Sequence, residues 1–310
     1  MTMSLRALYD LPAPAKLNRF LHVVGRRADG YHLLQSVFVL IDWADRLHIE
    51  RRDDGTLQRH DLGPALPADD LCLRAARALQ QASGCPLGVD IHIDKQVPWG
   101  AGMGGGSSDA ATTLLALNRL WGLDWPRARL AELGLRLGAD VPFFVGGHSA
   151  FVQGIGEQLM PMRVPSARYA VVKPPQAIAT RDIFEHPLLV RDTEAVIVTG
   201  SFDGAGFAGW PAEWDAAGQD GGAMFGHNDL QPPAEDRCPE VAQAARWLEA
   251  RYGNSRMTGS GSAVFATVVE SDGMSGSPLA AFPAEALPPG WVGRMCRGLD
   301  EHPLRAWASD

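Results

Sequence analysis

The residues of this chain best suited to chemistry fall in four separated groups. The first is Pro98-Trp99-Gly100-Ala101-Gly102-Met103-Gly104-Gly105-Gly106-Ser107-Ser108, followed by Asp109. An apolar pattern of helical period starts directly after it, with Leu114, Leu117 and Trp121 on one face and Leu115 beside them. A glycine-rich turn that opens a helix offers unpaired backbone N–H groups at the positive end of the helix dipole, a setting that holds phosphate. Ser107, Ser108 and Asp109 are good N-cap types, so the helix is predicted to begin among them. No lysine follows Gly106, which separates the stretch from a P-loop, and its glycine spacing differs from a dinucleotide fingerprint. The alternative is a packed glycine turn with no ligand.

The second group is Lys16 and Asn18, which alternate with Leu17 after two prolines. If Leu17 faces a core, Lys16 and Asn18 share the opposite face. The plainer reading is a solvated lysine on an edge strand. The third is Asp140, between a glycine helix stop and Val141-Pro142-Phe143-Phe144. Apolar neighbours are expected to desolvate that carboxylate and raise its pKa toward that of a useful base. Otherwise it caps a neighbouring turn. The fourth is Tyr31-His32, just past an Asp29-Gly30 turn, which offers aromatic surface to a planar ring or simply packs.

These groups need elements to hold them. Strands are read after the prolines at 12 and 14, over 45–52 and over 89–95, with a hairpin-type turn at Asp53-Asp54-Gly55. Helices are read over 71–82, after the glycine stretch, and over 126–137. A strand at 149–153 closes the first half, and Tyr169 to Lys173 opens the second, which places a domain boundary at about residue 165. The two units are therefore 1–165 and 166–310. Beyond lie a helix start at 180–184, a long Gly/Ala/Trp-rich loop over 199–226, a helix over 239–252, and a Gly/Ser turn at 255–262 running into a strand. The tail from 271 carries few signals beyond a short helix within 278–287.

Bulk properties narrow the class. Hydrophobic residues at 46% and charged residues at 21% make the chain globular. A net charge of -8, with no basic stripe, argues against a nucleic-acid surface but not against a small anionic ligand. The cysteines at 72, 85, 238 and 296 form no CxxC and read as buried free thiols of a reducing compartment. No signal peptide or membrane-spanning run is visible, so a cytoplasmic location is expected.

Three motifs in this order resemble the galactokinase, homoserine kinase, mevalonate kinase and phosphomevalonate kinase (GHMP) superfamily: Pro14-Ala-Lys-Leu-Asn18, Pro98 to Ser108, and Met257-Thr-Gly-Ser-Gly-Ser-Ala-Val-Phe265. Arg27-Ala-Asp-Gly-Tyr-His32, Leu137-Gly-Ala-Asp-Val-Pro-Phe-Phe144 and Asn228-Asp229-Leu230 are most similar to the branch acting on 4-diphosphocytidyl-2-C-methyl-D-erythritol. The resemblance implies an α+β, two-domain GHMP kinase fold: an N-terminal unit like ribosomal protein S5 domain 2, a ferredoxin-like C-terminal unit, and the active site between them. It implies an enzyme that moves the γ-phosphoryl of ATP, with Mg²⁺, to the 2-hydroxyl of that cytidine diphosphate sugar alcohol in non-mevalonate isoprenoid synthesis. Lys16 and Asp140 match the catalytic pair, and Pro98 to Ser108 match the ATP phosphate site. Tyr31 and His32 match the cytidine end, with Phe184 as a second aromatic, and Asn18 and Thr180 help hold the substrate. Ser108 is the single candidate metal contact. The partners implied are ATP and the small-molecule acceptor, with neither nucleic acid nor membrane, and the chain is expected to be a monomer or weak homodimer.

Asp70 departs from the pattern, since many relatives carry Asn there, near the adenine. The tail also lacks a charged helix found in relatives. The nearest alternative is another kinase of the superfamily, acting on homoserine or mevalonate. A more remote one is an RNA-binding module, because its first fold is shared with a ribosomal protein.

Overall fold

The computed structural model describes residues 5–198, 206–211, 214, 224–268 and 282–310. Two very long strands form its spine. Strand β1 (Ala7–Arg26) turns through residues 27–31 into β2 (His32–Arg52), and the two pair antiparallel from Ala7↔Glu50 to Arg26↔His32. Gly30 takes the left-handed conformation (φ 93°) that this turn requires. The pairing shifts register four times, one shift falling between Pro14 and Lys16. Such irregularities bend a strand and re-aim its side chains. The strand read over 45–52 is therefore the second half of one long strand that begins at His32.

Strand β4 (Gly88–Asp94) pairs antiparallel with β2, and β3 (Leu57–Asp61) pairs parallel with β4. The turn at Asp53-Asp54-Gly55 is thus not a hairpin, because β4 lies between the two strands it joins. The full order is β3-β4-β2-β10-β7-β9-β8, with β1 and β5 (Ala150–Gln153) also on β2 and β6 (Gln158–Pro161) on β5. The second half supplies β7 (Arg168–Lys173), β8 (Arg256–Met257), β9 (Val264–Val268) and β10 (Val292–Leu299).

The helices placed wholly within the described residues are α1 (Leu71–Ser83), α2 (Gly105–Leu120), α3 (Arg127–Leu135), α4 (Val141–Gly146), α5 (Thr180–Phe184), α6 (Gln231–Arg237) and α7 (Pro239–Tyr252). One core packs α1 to α4 against Phe38, Leu40, Leu47 and Ile49 of β2 and Val89, Ile91 and Ile93 of β4. The intervening residues Val37, Val39 and Ile41 face a second core with Leu17, Val171 and Phe265. A third packs α6 and α7 on Ala170, Val172 and Val264. Both faces of β2 are buried there, so it reads as a continuous apolar run. Helices on a mixed sheet give the α+β architecture implied by the resemblance.

Cys72, Cys238 and Cys296 are buried thiols, whereas Cys85 is half-buried. Much of the loop over 199–226 and residues 271–281 of the tail lie outside the described residues; within 278–287 a short 3₁₀ turn, Ala284–Ala286, stands where a helix was read.

Candidate active site

Leu17 sits in the second core and turns Lys16 and Asn18 to the opposite face, as the alternation requires. Lys16 is no solvated edge lysine: it is 3% exposed. Its Nζ donates to Asn18 Oδ1 at 2.6 Å and to the carbonyl of Gly102 at 2.9 Å, lies 4.7 Å from the centre of the Phe38 ring, and stands 4.0 Å from Asp140 Oδ2. Burial pushes its pKa down, and the Asp140 charge opposes that shift.

The glycine stretch runs beside it. The N-cap of α2 is Gly104, in the left-handed region (φ 72°), with no side-chain hydrogen bond. The start predicted among Ser107 to Asp109 is therefore corrected: these residues lie in the helix, and no side chain occupies the cap. Uncapped N–H groups at α2 suit an anion. Gly102 (φ 71°) leaves no room for a side chain, since a Cβ there would lie 2.2 Å from the carbonyl oxygen of Thr258. The reason is a backbone strap: Ser262 and Ala263 donate N–H to the carbonyls of Gly100 and Ala101, both at 3.2 Å. Two motifs far apart in sequence thus meet main chain to main chain. Asn228 Nδ2 steadies the second of them by donating to the carbonyls of Met257 (2.7 Å) and Gly259 (2.9 Å).

Two cavities share this seam. One, of about 380 Å³, is lined by Leu66, Asp70, Lys95, Trp99 and the residues from Gly100 to Ser107. The other, of about 1030 Å³, is lined by Lys16, Asn18, Tyr31, His32, Asp140, Thr180 and Phe184, among others. Gly102 and Gly104 border both. Asp70 caps α1, accepting from the Leu73 N–H at 3.0 Å, and pairs with Arg59 at 3.1 Å.

Asp140 differs from the desolvated carboxylate expected from its neighbours. Val141, Phe143 and Phe144 turn into the core, whereas the Asp140 side chain, at the N-cap of α4, stays 30% exposed on the larger cavity. It makes no capping hydrogen bond, so the turn-cap alternative fails too. On the far wall His32 stacks on Phe184, ring centres 5.1 Å apart at 24°, and Tyr31 is 61% exposed. Thr180 shares a 2.8 Å hydrogen bond with Ser260. Asn18 reaches the cavity, but its side chain is committed: Oδ1 accepts from Lys16, Thr258 and Gly259, and Nδ2 donates to Ser36.

Three features escaped the sequence reading. Lys95 pairs with Asp45 and, at 2.6 Å, with Asp109, which is 4% exposed. Those two carboxylates hold Lys95 firmly protonated despite its burial. Arg191 reaches His32 from another segment. Gly259 and Ser260 line the cavity, although their motif entered the sequence reading as a turn and as part of the resemblance, with no site residue assigned in it. Lone charges remote in sequence carry no spacing signal. Ser108 is fully buried, and its Oγ has no hydrogen-bond partner among the described residues.

Residues 70–148 match the GHMP kinases N terminal domain and residues 215–275 the GHMP kinases C terminal domain. The 4-diphosphocytidyl-2-C-methyl-D-erythritol kinase of Methylibium petroleiphilum is 62% identical over 307 residues, covering 99% of this chain and 100% of its own. That of Variovorax paradoxus is 56% identical over 309 residues, covering 98% and 100%. A crystal structure of 4-(cytidine 5'-diphospho)-2C-methyl-D-erythritol kinase superposes with a TM-score of 0.73 at 33% identity, over 94% of this chain and all of that one. The Methanococcus jannaschii mevalonate kinase (TM-score 0.62, 13% identity, 96% of this chain and 100% of that one) shares the fold alone. On identity along its whole length, the chain belongs to the 4-diphosphocytidyl-2-C-methyl-D-erythritol kinases of the GHMP kinase superfamily.

Proposed function

We propose that this chain transfers the γ-phosphoryl group of ATP to the 2-hydroxyl of 4-diphosphocytidyl-2-C-methyl-D-erythritol, giving the 2-phosphate and ADP for non-mevalonate isoprenoid synthesis. One observation carries the assignment of roles: the two cavities meet at Gly102 and Gly104, where Lys16 and Asp140 stand 4.0 Å apart. ATP lies along the residues from Pro98 to Ser108, its phosphates on the N–H groups that open α2. The acceptor fills the larger cavity, with its base at Tyr31, His32 and Phe184 and its hydroxyl at Asp140. Thr180 borders its path, and Asn18 acts through Lys16.

Asp140 takes the hydroxyl proton as that oxygen forms its bond to the γ-phosphorus and the bond to the ADP oxygen breaks. Lys16 holds two of its N–H groups on Gly102 and Asn18 and directs its charge at the oxygen and the moving phosphoryl. Among the described residues no group of three or more His, Cys, Asp or Glu side chains is arranged to hold a metal. Ser108, whose hydroxyl has no partner among the described residues, is the residue that would contact Mg²⁺. Mg²⁺ held there would neutralise charge on the phosphates.

We take the enzyme to act as a monomer or weak homodimer. Strand β7 opens the second unit and pairs with β9 and β10, which supports a division near residue 165. Among the described residues no helix is long and apolar enough to cross a membrane; we place the enzyme in the cytoplasm, with no nucleic-acid partner. Phosphorus NMR of the product tests the chemistry. One new phosphomonoester signal coupled to the C2 position, with the diphosphate signals retained, is expected. A phosphate on any other hydroxyl contradicts the assigned geometry.

A further inference from the structure

Arg191 follows α5 and belongs to none of the motifs above. Its Nε donates to His32 Nε2 at 3.2 Å, Nη1 to the carbonyl of Leu189 at 2.9 Å, and Nη2 to the carbonyls of Phe184 (3.2 Å) and His186 (3.0 Å). A guanidinium has no acceptor, so His32 Nε2 must receive this hydrogen bond, and the proton of the neutral ring sits on Nδ1. Burial and the charges of Arg191 and Arg26 hold His32 below the ordinary imidazole range, which keeps the ring neutral. Among the described residues Nδ1 has no hydrogen-bond partner, and the ring lines the acceptor cavity. The same guanidinium fixes the carbonyl of Phe184, whose ring stacks on His32. One side chain therefore sets both the place and the polarity of the aromatic wall.

We propose that Arg191 is a positioning residue for the acceptor's base: it fixes His32 in the Nδ1–H tautomer, which donates to N3 of cytosine and rejects uracil, whose N3 carries a hydrogen. This rests on the acceptor being a cytidine diphosphate. A donor facing a donor leaves both unpaired in a partly buried wall, and that is how a site built for one hydrogen-bond pattern discriminates strongly.

Two measurements test it. In the wild-type chain with ¹⁵N-labelled histidine rings, the His32 signal, assigned by its loss in His32→Gln, is expected to show the neutral Nδ1–H form. The Nε2–H form would overturn the proposal, and this spectrum needs neither turnover nor an Arg191 variant that folds. In kinetics, Arg191→Met is expected to raise KM for the cytidine acceptor about tenfold and to narrow the cytidine-over-uridine preference in kcat/KM by at least about tenfold. The kcat and the KM for ATP should stay within about twofold, and Arg191→Lys, which keeps one donor, should recover part of the preference. An unchanged preference in Arg191→Met overturns the proposal. A wild-type chain that turns over no cytidine acceptor contradicts the assigned substrate instead, whatever the tautomer of His32.

Discussion

At the scale of single residues, the chemistry rests on how few polar atoms are left uncommitted. Asn18, itself held by Thr258, and the Gly102 carbonyl fix Lys16, whereas Asp140 makes no capping bond and keeps its side chain 30% exposed. The carboxylate is thus accessible to a hydroxyl and within reach of a fixed positive charge. Asp140→Asn keeps the shape and removes the proposed base. It is expected to lower turnover by about two to four orders of magnitude while ATP affinity, read by calorimetry, stays within about twofold. Near-normal turnover would make Asp140 a structural residue. Tyr31 stands at the rim, so Tyr31→Ala should raise KM for the cytidine acceptor about tenfold to a hundredfold, the range of one lost base stack, and leave KM for ATP alone. A rise confined to ATP would place the base elsewhere.

Elements decide whether those residues meet. The glycine stretch and the Gly/Ser loop lie backbone on backbone, so their glycines are steric requirements. In Gly102→Ala the new carbon meets the carbonyl oxygen of Thr258, which the β8–β9 turn holds in place; in Gly104→Ala it meets the edge of the Phe144 ring, 2.9 Å away, and that ring can give. Both positions also impose a left-handed backbone, which costs an alanine about 1–2 kcal/mol. Urea unfolding should find Gly102→Ala the less stable of the two by about 1 kcal/mol or more, with the larger loss of ATP binding. Equal stabilities would mean that the strap yields as easily as the ring. Much of this layer was legible. The alternation around Leu17 gave the face of Lys16, and periodicity gave α1, α2 and α7. Readings at two helix starts failed for physical reasons. Ser107, Ser108 and Asp109 are better caps than glycine, yet a left-handed Gly104 starts α2 one turn earlier. The phenylalanines after Asp140 belong to a helix that turns them away from it. Non-local events left no trace in sequence: β4 entering between β2 and β3, and Lys95, Asp45 and Asp109 converging beneath α2.

Across the whole molecule, two buried imidazoles couple stability to pH. His22, packed on Phe20 and His227, is held down at about 4 by burial and then by the charge of His227. His302, whose Nδ1 accepts from the Leu304 N–H beside α2, is held at about 3 by burial and then by Arg127. Unfolded, both rings take up a proton near 6.5. The unfolded chain therefore binds more protons between about pH 6.5 and pH 3, and stability contributed by the two rings, complete above that window, falls as the pH drops through it. Tm measured across that range should decline toward acid. His302→Asn, whose amide oxygen replaces the Nδ1 acceptor, should show a shallower decline; an unchanged slope would exclude His302 as a cause. Neither ring lines either cavity, and the identity of the acceptor is decided in the larger one. ADP release measured with 4-diphosphocytidyl-2-C-methyl-D-erythritol, homoserine and mevalonate under one condition tests the central claim most directly. Turnover with the cytidine compound and none with the other two is the result expected; turnover of homoserine or mevalonate, with none of the cytidine compound, would contradict it.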